Sequence, residues 1–153
     1  MLRSSWSQGP AADSPAARDA ANDVGSGMRD HRSGPLIVSV TDFTSGTYRH
    51  LPGIARRGLA LRRRWPHLDG AVGMWLWVMP RARRCGSVSV WTGRRALREF
   101  VRLPEHVAIM DEYRGRGTIR SVILEYDSFD AARIRRDAEA WLLPERPGRV
   151  ARG

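Results

Sequence analysis

His106 is the side chain of this sequence best suited to proton transfer. It follows Pro104 in the helical stretch VRLPEH (101–106) and lies one helical step from Leu103 and Met110, so it borders a core rather than open solvent. An imidazole titrates near neutral pH, which suits a general acid or base, and its neutral ring can ligate a heme iron. A third interpretation is structural: the proline restarts the helix, and a ring nitrogen accepts a hydrogen bond from one of its free N–H groups.

Six further side chains are candidates for the wall of a small-molecule pocket. Trp75 and Trp77 would line an aromatic pocket or, alternatively, form a core between two subunits. Arg120 is a charge within an apolar strand, which indicates an anion contact or an edge position. The candidates are Trp75, Trp77, Trp91, Phe100, Met110 and Arg120.

Several chemistries are excluded by what the sequence lacks. Cys85 is the single cysteine, so neither an intrachain disulfide nor a multi-cysteine metal site can form. The sequence contains no Walker loop, dinucleotide fingerprint, GxSxG elbow, HExxH or paired-carboxylate signature. No apolar run is long enough to span a membrane, and the N-terminus lacks the apolar stretch of a secretory signal. We therefore expect a cytoplasmic protein.

The net charge of +10 comes entirely from arginine, since the 26 basic residues include no lysine. Arginine, alanine and glycine have GC-rich codons, so genome composition explains this bias without a nucleic-acid partner. RNA-recognition domains stack bases on aromatic residues of their first and third strands. Here the third strand, CGSVSVW (85–91), supplies only Trp91. Nucleic-acid binding is therefore not favoured.

Apolar patterning predicts four strands and three helical segments. Strands carry β-branched or continuous apolar runs between turn residues, and helices carry apolar positions at helical spacing. Pro104 should kink or break the second helix, which we expect to start near Thr92 as N-cap. The predicted strands are 36–43, 71–80, 87–91 and 118–126, and the predicted helices are 51–65, 92–113 and 128–143.

This order predicts an α+β fold, the ferredoxin-like β-α-β-β-α-β antiparallel sheet with an extra C-terminal helix. Two helices cover one face of such a sheet, and alternation along strand 71–80 leaves large apolar groups on the other. A bare apolar face normally marks an interface or a cavity. We expect two sheets to pair face to face in a homodimer. The predicted sets are Val72, Met74, Leu76 and Val78 on one side and Trp75, Trp77 and Met79 on the other.

The ends of the chain lack apolar periodicity. Residues 1–34 are rich in Ala, Ser, Gly and Asp, and such a segment buries too little surface to offset its ordering entropy. We therefore predict a disordered N-terminal tail at 1–34, one domain at 35–143 and a flexible tail at 144–153. Deletion of residues 1–27 is expected to leave the thermal midpoint unchanged.

Two runs carry a resemblance to a known superfamily. GIARRGLALRRRWPHLDGAVGMWLW (53–77) and SVSVWTGRRALREFVRLPEH (87–106) resemble the dimeric α+β barrel proteins, which include antibiotic-biosynthesis-type monooxygenases and spheroidene monooxygenase. The shared pattern is a helix, an apolar strand, a strand ending in Trp, a turn and a helix with a downstream histidine. The resemblance covers roughly residues 36–126.

The resemblance implies a monooxygenase-like oxidation or rearrangement of a small apolar metabolite, aromatic, polyketide or isoprenoid-like, within secondary metabolism. His106 would be the proton shuttle, and no cofactor would be needed. Heme is the alternative cofactor, with His106 as axial ligand. The heme-degrading branch fits less well, because Phe100 and Met110 occupy its Trp and His positions and the first strand has no Asn. The alternative function is a non-catalytic ligand-binding or assembly domain on the same fold.

Overall fold

The computed structural model describes residues 1–14, 17 and 35–143. Six strands and four helices make up this part, with short 3-10 turns at Tyr48–His50, Trp65–His67 and Pro80–Ala82. The strands are β1 (Leu2–Arg3), β2 (Ser7–Gln8), β3 (Leu36–Ser45), β4 (Ala71–Met79), β5 (Arg84–Trp91) and β6 (Gly117–Tyr126). The helices are α1 (Leu51–Arg63), α2 (Arg94–Val101), α3 (Pro104–Tyr113) and α4 (Ala131–Leu142).

The four long strands form one antiparallel sheet in the order β4-β5-β3-β6. With α1 between β3 and β4, and α2 and α3 between β5 and β6, this is the ferredoxin-like βαββαβ arrangement. The α+β fold class predicted from the sequence is confirmed. The extra C-terminal helix is α4, whose N-cap Asp130 accepts a hydrogen bond from the Arg133 backbone N–H at 2.9 Å.

Pro104 breaks the second helical segment, as predicted. Helix α2 ends at Val101 and α3 begins at Pro104, where the missing backbone N–H of proline removes no helical hydrogen bond. The start of the segment differs slightly from the prediction, because Gly93 rather than Thr92 occupies the N-cap position.

Both faces of the sheet carry helices, although Ile119 and Ile123 of the edge strand β6 are 48% and 44% exposed. Helices α1, α2 and α3 pack over one face, which carries Ile37, Met74 and Trp91, and we call it the α1–α3 face. The opposite face, here the α4 face, packs against α4 through Trp77 and Ile134. The face predicted to be bare is therefore covered within one chain, since Trp75 is only 6% exposed and Trp77 only 2%.

A β-bulge changes the predicted alternation on β4. The register between β4 and β5 shifts between Ala71 and Gly73, so Val72 adds one residue to its strand. Val72 consequently packs with Trp75 and Trp77 on the α4 face, whereas the sequence predicted it on the side of Met74. The remainder of the predicted alternation from Met74 onward holds.

The predicted disorder of residues 1–34 is wrong for residues 1–14. Strands β1 and β2 pair antiparallel with the outer edge of β4, and the Ser4 backbone N–H donates to the Leu76 carbonyl at 2.9 Å. The Trp6 ring packs on Trp75 and Phe129, with ring centroids 5.3 and 5.6 Å apart. Apart from Ala17, the rest of the predicted tail lies outside the described residues, as does the predicted tail at 144–153.

Candidate functional site

A cavity of about 810 Å³ lies between the α1–α3 face of the sheet and helices α1, α2 and α3. Its roof is mostly apolar, with Ile54 from α1, Leu97 from α2 and Ile109 from α3. Its floor carries small hydroxyl residues, including Ser39, Thr41, Ser87 and Ser121. Large apolar side chains at these central sheet positions would fill the space, so the small floor residues are what creates the cavity.

His106 lies in the first turn of α3 and lines this cavity. Its Nδ1 atom is 3.1 Å from the Val101 carbonyl oxygen. A carbonyl can only accept, so Nδ1 carries the proton and donates it, and in the neutral ring Nε2 keeps a lone pair. The structural interpretation of His106 had the ring accept from a helical N–H; instead the ring donates to the last carbonyl of α2.

Burial lowers the pKa of His106 below its usual value, and the hydrogen bond to Val101 opposes this only partly. The imidazole is therefore neutral at pH 7. A neutral imidazole with a fixed Nδ1–H is a proton acceptor through Nε2. Its orientation is held further by the Phe100 ring, whose centroid lies 4.9 Å away.

An aromatic cluster forms the wall behind His106. Phe100 packs edge-on against Trp65 at 5.6 Å and tilted against Trp91 at 5.0 Å. Trp65 and Trp91 are themselves 4.7 Å apart, both with no exposed surface. This part of the wall is buried and apolar, which strengthens electrostatic interactions beside it.

Tyr113 is a cavity residue that the sequence analysis missed. It lines the cavity from the last turn of α3 and packs edge-to-face on Phe43 at 6.0 Å. A Cβ at position 53 would lie 2.6 Å from its hydroxyl oxygen, so Gly53 is what allows α1 to approach the phenol. Burial is the main cause that raises the pKa of Tyr113, and the hydroxyl is protonated at neutral pH.

Four of the predicted site residues border the cavity. His106, Phe100 and Met110 do so from the helices, whereas Trp77 borders it from β4 although its side chain packs in the cluster on the α4 face. The other three, Trp75, Trp91 and Arg120, do not. Trp75 lies on the α4 face, and Trp91 lies behind Phe100 with its indole N–H donating to the Ser89 hydroxyl at 3.0 Å.

Arg120 points to the α4 face, where it pairs with buried Asp42. Its Nη2 lies 2.5 Å from the Asp42 carboxylate, and Arg84 binds the same carboxylate at 2.7 Å. Burial alone would raise the pKa of Asp42, but the hydrogen bonds and charges of the two guanidinium groups outweigh it and lower the pKa. The Arg84 guanidinium also donates to the Leu142 carbonyl at 2.9 Å. This cluster ties α4 to the sheet and has no part in the cavity.

Cys85 lines the cavity near Phe43 and is 8% exposed. Burial raises the pKa of its thiol to about 11. The thiolate is the reactive form of cysteine, so Cys85 is not a nucleophile at neutral pH.

Within residues 1–14, 17 and 35–143, no three His, Cys, Asp or Glu side chains come close enough to hold a metal ion. In the same part of the chain, no helix is both long and apolar enough to cross a membrane.

No protein-family model matches the sequence, and no curated protein matches it either. Solved structures match at low identity. A protein assigned to the antibiotic biosynthesis monooxygenases, from Nitrosomonas europaea, is 9% identical with a TM-score of 0.54, over 60% of this chain and 90% of that one. A protein assigned as a monooxygenase, from Lactobacillus acidophilus, is 10% identical with a TM-score of 0.53, over 60% of this chain and 45% of that one.

A third structure, of protein SO0527 from Shewanella oneidensis, is 15% identical with a TM-score of 0.54, over 60% of this chain and 91% of that one. Likeness at such identities concerns the fold and not the chemistry. The chain has the ferredoxin-like α+β fold of the antibiotic-biosynthesis-type monooxygenases.

Proposed function

We propose that the cavity binds a small, largely apolar metabolite, aromatic, polyketide or isoprenoid-like, and that the protein catalyses its monooxygenase-type oxidation. The observation that carries this proposal is His106: a neutral imidazole, fixed through Nδ1 by Val101, in the wall of a cavity of about 810 Å³. Most of the other residues that line the cavity are apolar or carry only a hydroxyl. His106 is thus the base, in a wall that is otherwise mostly apolar.

The reaction that this arrangement supports needs no cofactor. A substrate CH₂ group flanked by aromatic rings or carbonyls loses a proton to Nε2 of His106. The resulting carbanion reduces O₂ and combines with it to give a peroxide, which loses water and leaves a ketone. The balance is R₂CH₂ + O₂ → R₂C=O + H₂O, and the four electrons taken up by O₂ all come from the substrate carbon. A rearrangement that starts with the same proton transfer would use the same base without O₂.

Heme is the alternative cofactor, and it would compete for the same atom. His106 supplies the single imidazole among the described residues that line the cavity, so a heme iron would bind its Nε2 and prevent it from accepting a proton. The two roles exclude each other. Protein titrated with hemin should therefore show no Soret band that depends on His106. A Soret band present in the wild type and lost in His106→Ala would establish heme ligation and overturn the cofactor-free mechanism.

Non-catalytic ligand binding is the second candidate function. The observation that favours it is that His106 is hydrogen-bonded to a backbone carbonyl and not to a carboxylate. The ring therefore has no anionic partner, and the carbonyl only partly opposes the lowering of its pKa by burial. A binding protein would need the cavity and its shape but no base.

Oxygen consumption distinguishes the two functions. Anthrone is a suitable probe, because its CH₂ group lies between two aromatic rings and its oxidation product absorbs at a different wavelength. We expect one O₂ consumed per ketone formed, above the spontaneous rate in buffer. His106→Gln should lower the turnover by about 100-fold, because an amide cannot accept the proton.

His67→Gln is the matched control for this experiment. His67 is exposed and does not line the cavity, so the variant should retain wild-type turnover. If several substrates with acidic CH₂ groups bind but none is turned over faster than in buffer, the proposed catalytic function is wrong and non-catalytic ligand binding is the function supported. Equal turnover in His106→Gln and wild type would remove His106 from the mechanism.

A further inference from the structure

Three hydroxyl side chains form a straight row across the floor of the cavity. Thr41 on β3 is directly paired with Ser121 on β6 and with Ser87 on β5. Directly paired residues in an antiparallel sheet lie on the same face, and all three line the cavity. Neighbouring strands are about 4.8 Å apart, so the row, Ser121–Thr41–Ser87, presents three oxygens at about that interval.

The hydroxyls of this row are available to a ligand. The nearby Ser89 hydroxyl is used within the protein, since it donates to the Ser39 carbonyl and accepts from the Trp91 indole N–H. The side chains of the row form no hydrogen bond with any described residue. Thr41 and Ser87 are half-buried, whereas Ser121 on the edge strand β6 is exposed. An unpaired polar group away from water costs free energy, so the two half-buried hydroxyls gain most from a ligand partner.

We infer that the row selects ligands with two 1,3-related oxygens on an aromatic ring. Two such oxygens are separated by nearly the distance between adjacent strands, so they can bind neighbouring hydroxyls of the row together. The ring then stands upright on the row, with its apolar edge among the roof residues of α3. Adjacent (1,2-related) oxygens are too close together for this two-point contact. The inference rests on the proposed function only in seating the ligand in this cavity.

Isomeric ligands test the spacing without requiring turnover. Titration calorimetry with 1,3-dihydroxynaphthalene and 2,3-dihydroxynaphthalene compares two molecules of the same size, apolar area and oxygen count. We expect the 1,3-isomer to bind wild-type protein at least fivefold more tightly, which corresponds to about one additional hydrogen bond.

Thr41→Val tests the row itself. Valine has nearly the shape of threonine but no hydroxyl, so the variant keeps the cavity and removes the central member of the row. It should lose the preference for the 1,3-isomer. Thr44→Val is the matched control, because Thr44 lies on the same strand on the opposite face and does not line the cavity; it should keep the wild-type preference. Circular dichroism and the thermal midpoint establish that both variants fold.

Each outcome decides the inference. Equal affinity of the two isomers for wild type, absence of binding by the 1,3-isomer, or an unchanged preference in Thr41→Val would overturn it. If the 1,3-isomer binds more tightly but no oxygen is consumed, the role of the row is supported and the proposed oxidation is wrong. If oxygen is consumed but the two isomers bind equally, the proposed oxidation is supported and the role of the row is wrong.

Discussion

The Nδ1 atom of His106 lies 3.1 Å from the carbonyl oxygen of Val101, across the break between α2 and α3. In an uninterrupted helix that carbonyl would accept from the N–H four residues later. Here the break at Pro104 leaves it to the imidazole. The helix break therefore also sets the orientation of the histidine. Because the Val101 carbonyl accepts from Nδ1, Nε2 is the ring nitrogen left to accept a proton.

The proposed base predicts the pH dependence of turnover. Because burial lowers the pKa of His106 from 6.5, the neutral form that accepts a proton predominates from below pH 6.5 upward. The kcat/KM for an acidic CH₂ substrate should rise as pH increases through the lowered pKa and be level above pH 7. A pH–rate profile between pH 4.5 and 8.5 measures this. A midpoint above 7, or a profile that is the same in His106→Gln, would contradict the assignment.

Trp6 should contribute to stability, contrary to the expectation that residues 1–27 are dispensable. A Cβ at Gly73 would overlap the Trp6 ring, so the indole fills a gap that the glycine leaves open. The side chain is 37% exposed, so Trp6→Ala should cost about 2 kcal/mol, less than a fully buried tryptophan. Thermal denaturation should show a midpoint lower by about 5 °C.

Leu2→Ala is the control for Trp6→Ala, since Leu2 belongs to the same segment and is 64% exposed. It should change the midpoint little. A midpoint that stays at the wild-type value in Trp6→Ala would show that residues 1–14 do not dock in solution.

Asp42 should be the most costly carboxylate to remove. It is 1% exposed between Arg84 and Arg120, and Asp42→Asn leaves both guanidinium groups without their counter-charge. We expect a loss of about 3 kcal/mol in urea denaturation, at the low end for buried pairs because Arg120 is half exposed. Asp111→Asn, which removes an exposed pair with Arg114, should change stability by about 0.5 kcal/mol or less.

The Asp42 carboxylate also predicts how the stability of the fold changes with pH. The pKa of Asp42 in the folded chain is lowered from 3.8. Its contribution to the free energy of unfolding is therefore fully present above about pH 4–5 and is lost as pH falls through the lowered pKa. The difference between wild type and Asp42→Asn should thus be constant from pH 5 to 7 and shrink at lower pH. A difference that grows on acidification would contradict this linkage.

Homodimerisation remains a prediction, and the structure changes how it is tested. Trp77 was expected to line a pocket or to form a core between two subunits, and it packs within its own chain. Trp77→Glu should therefore lower the thermal midpoint equally at all protein concentrations. A loss that depends on protein concentration would place Trp77 at a subunit interface. Light scattering at micromolar concentration decides the dimer itself, since the mass of a single 17.2 kDa chain would contradict it.

The four long strands and the helix break were predictable because their signals are local. Alternation or continuous apolar character marks each strand, and Pro104 marks the break without any tertiary information. β1 and β2 contain only two residues each and form because Trp6 fits against Gly73. That contact joins residues far apart in sequence, so the periodicity of the sequence does not predict it.

The candidate site was predicted in part for similar reasons. His106, Phe100 and Met110 follow from the helical pattern. Arg120 was a pocket candidate with an anion contact or an edge position as its two interpretations; it lies on the edge strand β6 and binds the Asp42 carboxylate outside the cavity. An Asp within the strand LIVSVTDF was a signal for a buried ion pair. The hydroxyl row also left a signal, since Thr41 and Ser87 each lie next to a valine in an alternating strand, but recognising the row requires the strand register.

Cys85 gives the cavity an intrinsic probe. It is the single sulfhydryl of the chain, and it is largely inaccessible in the cavity wall and weakly acidic. Its alkylation rate depends on how often the thiol is accessible to a reagent. A molecule held in the cavity would slow that rate. Occupancy is therefore measurable on the unaltered protein by mass spectrometry, even for a compound that undergoes no reaction.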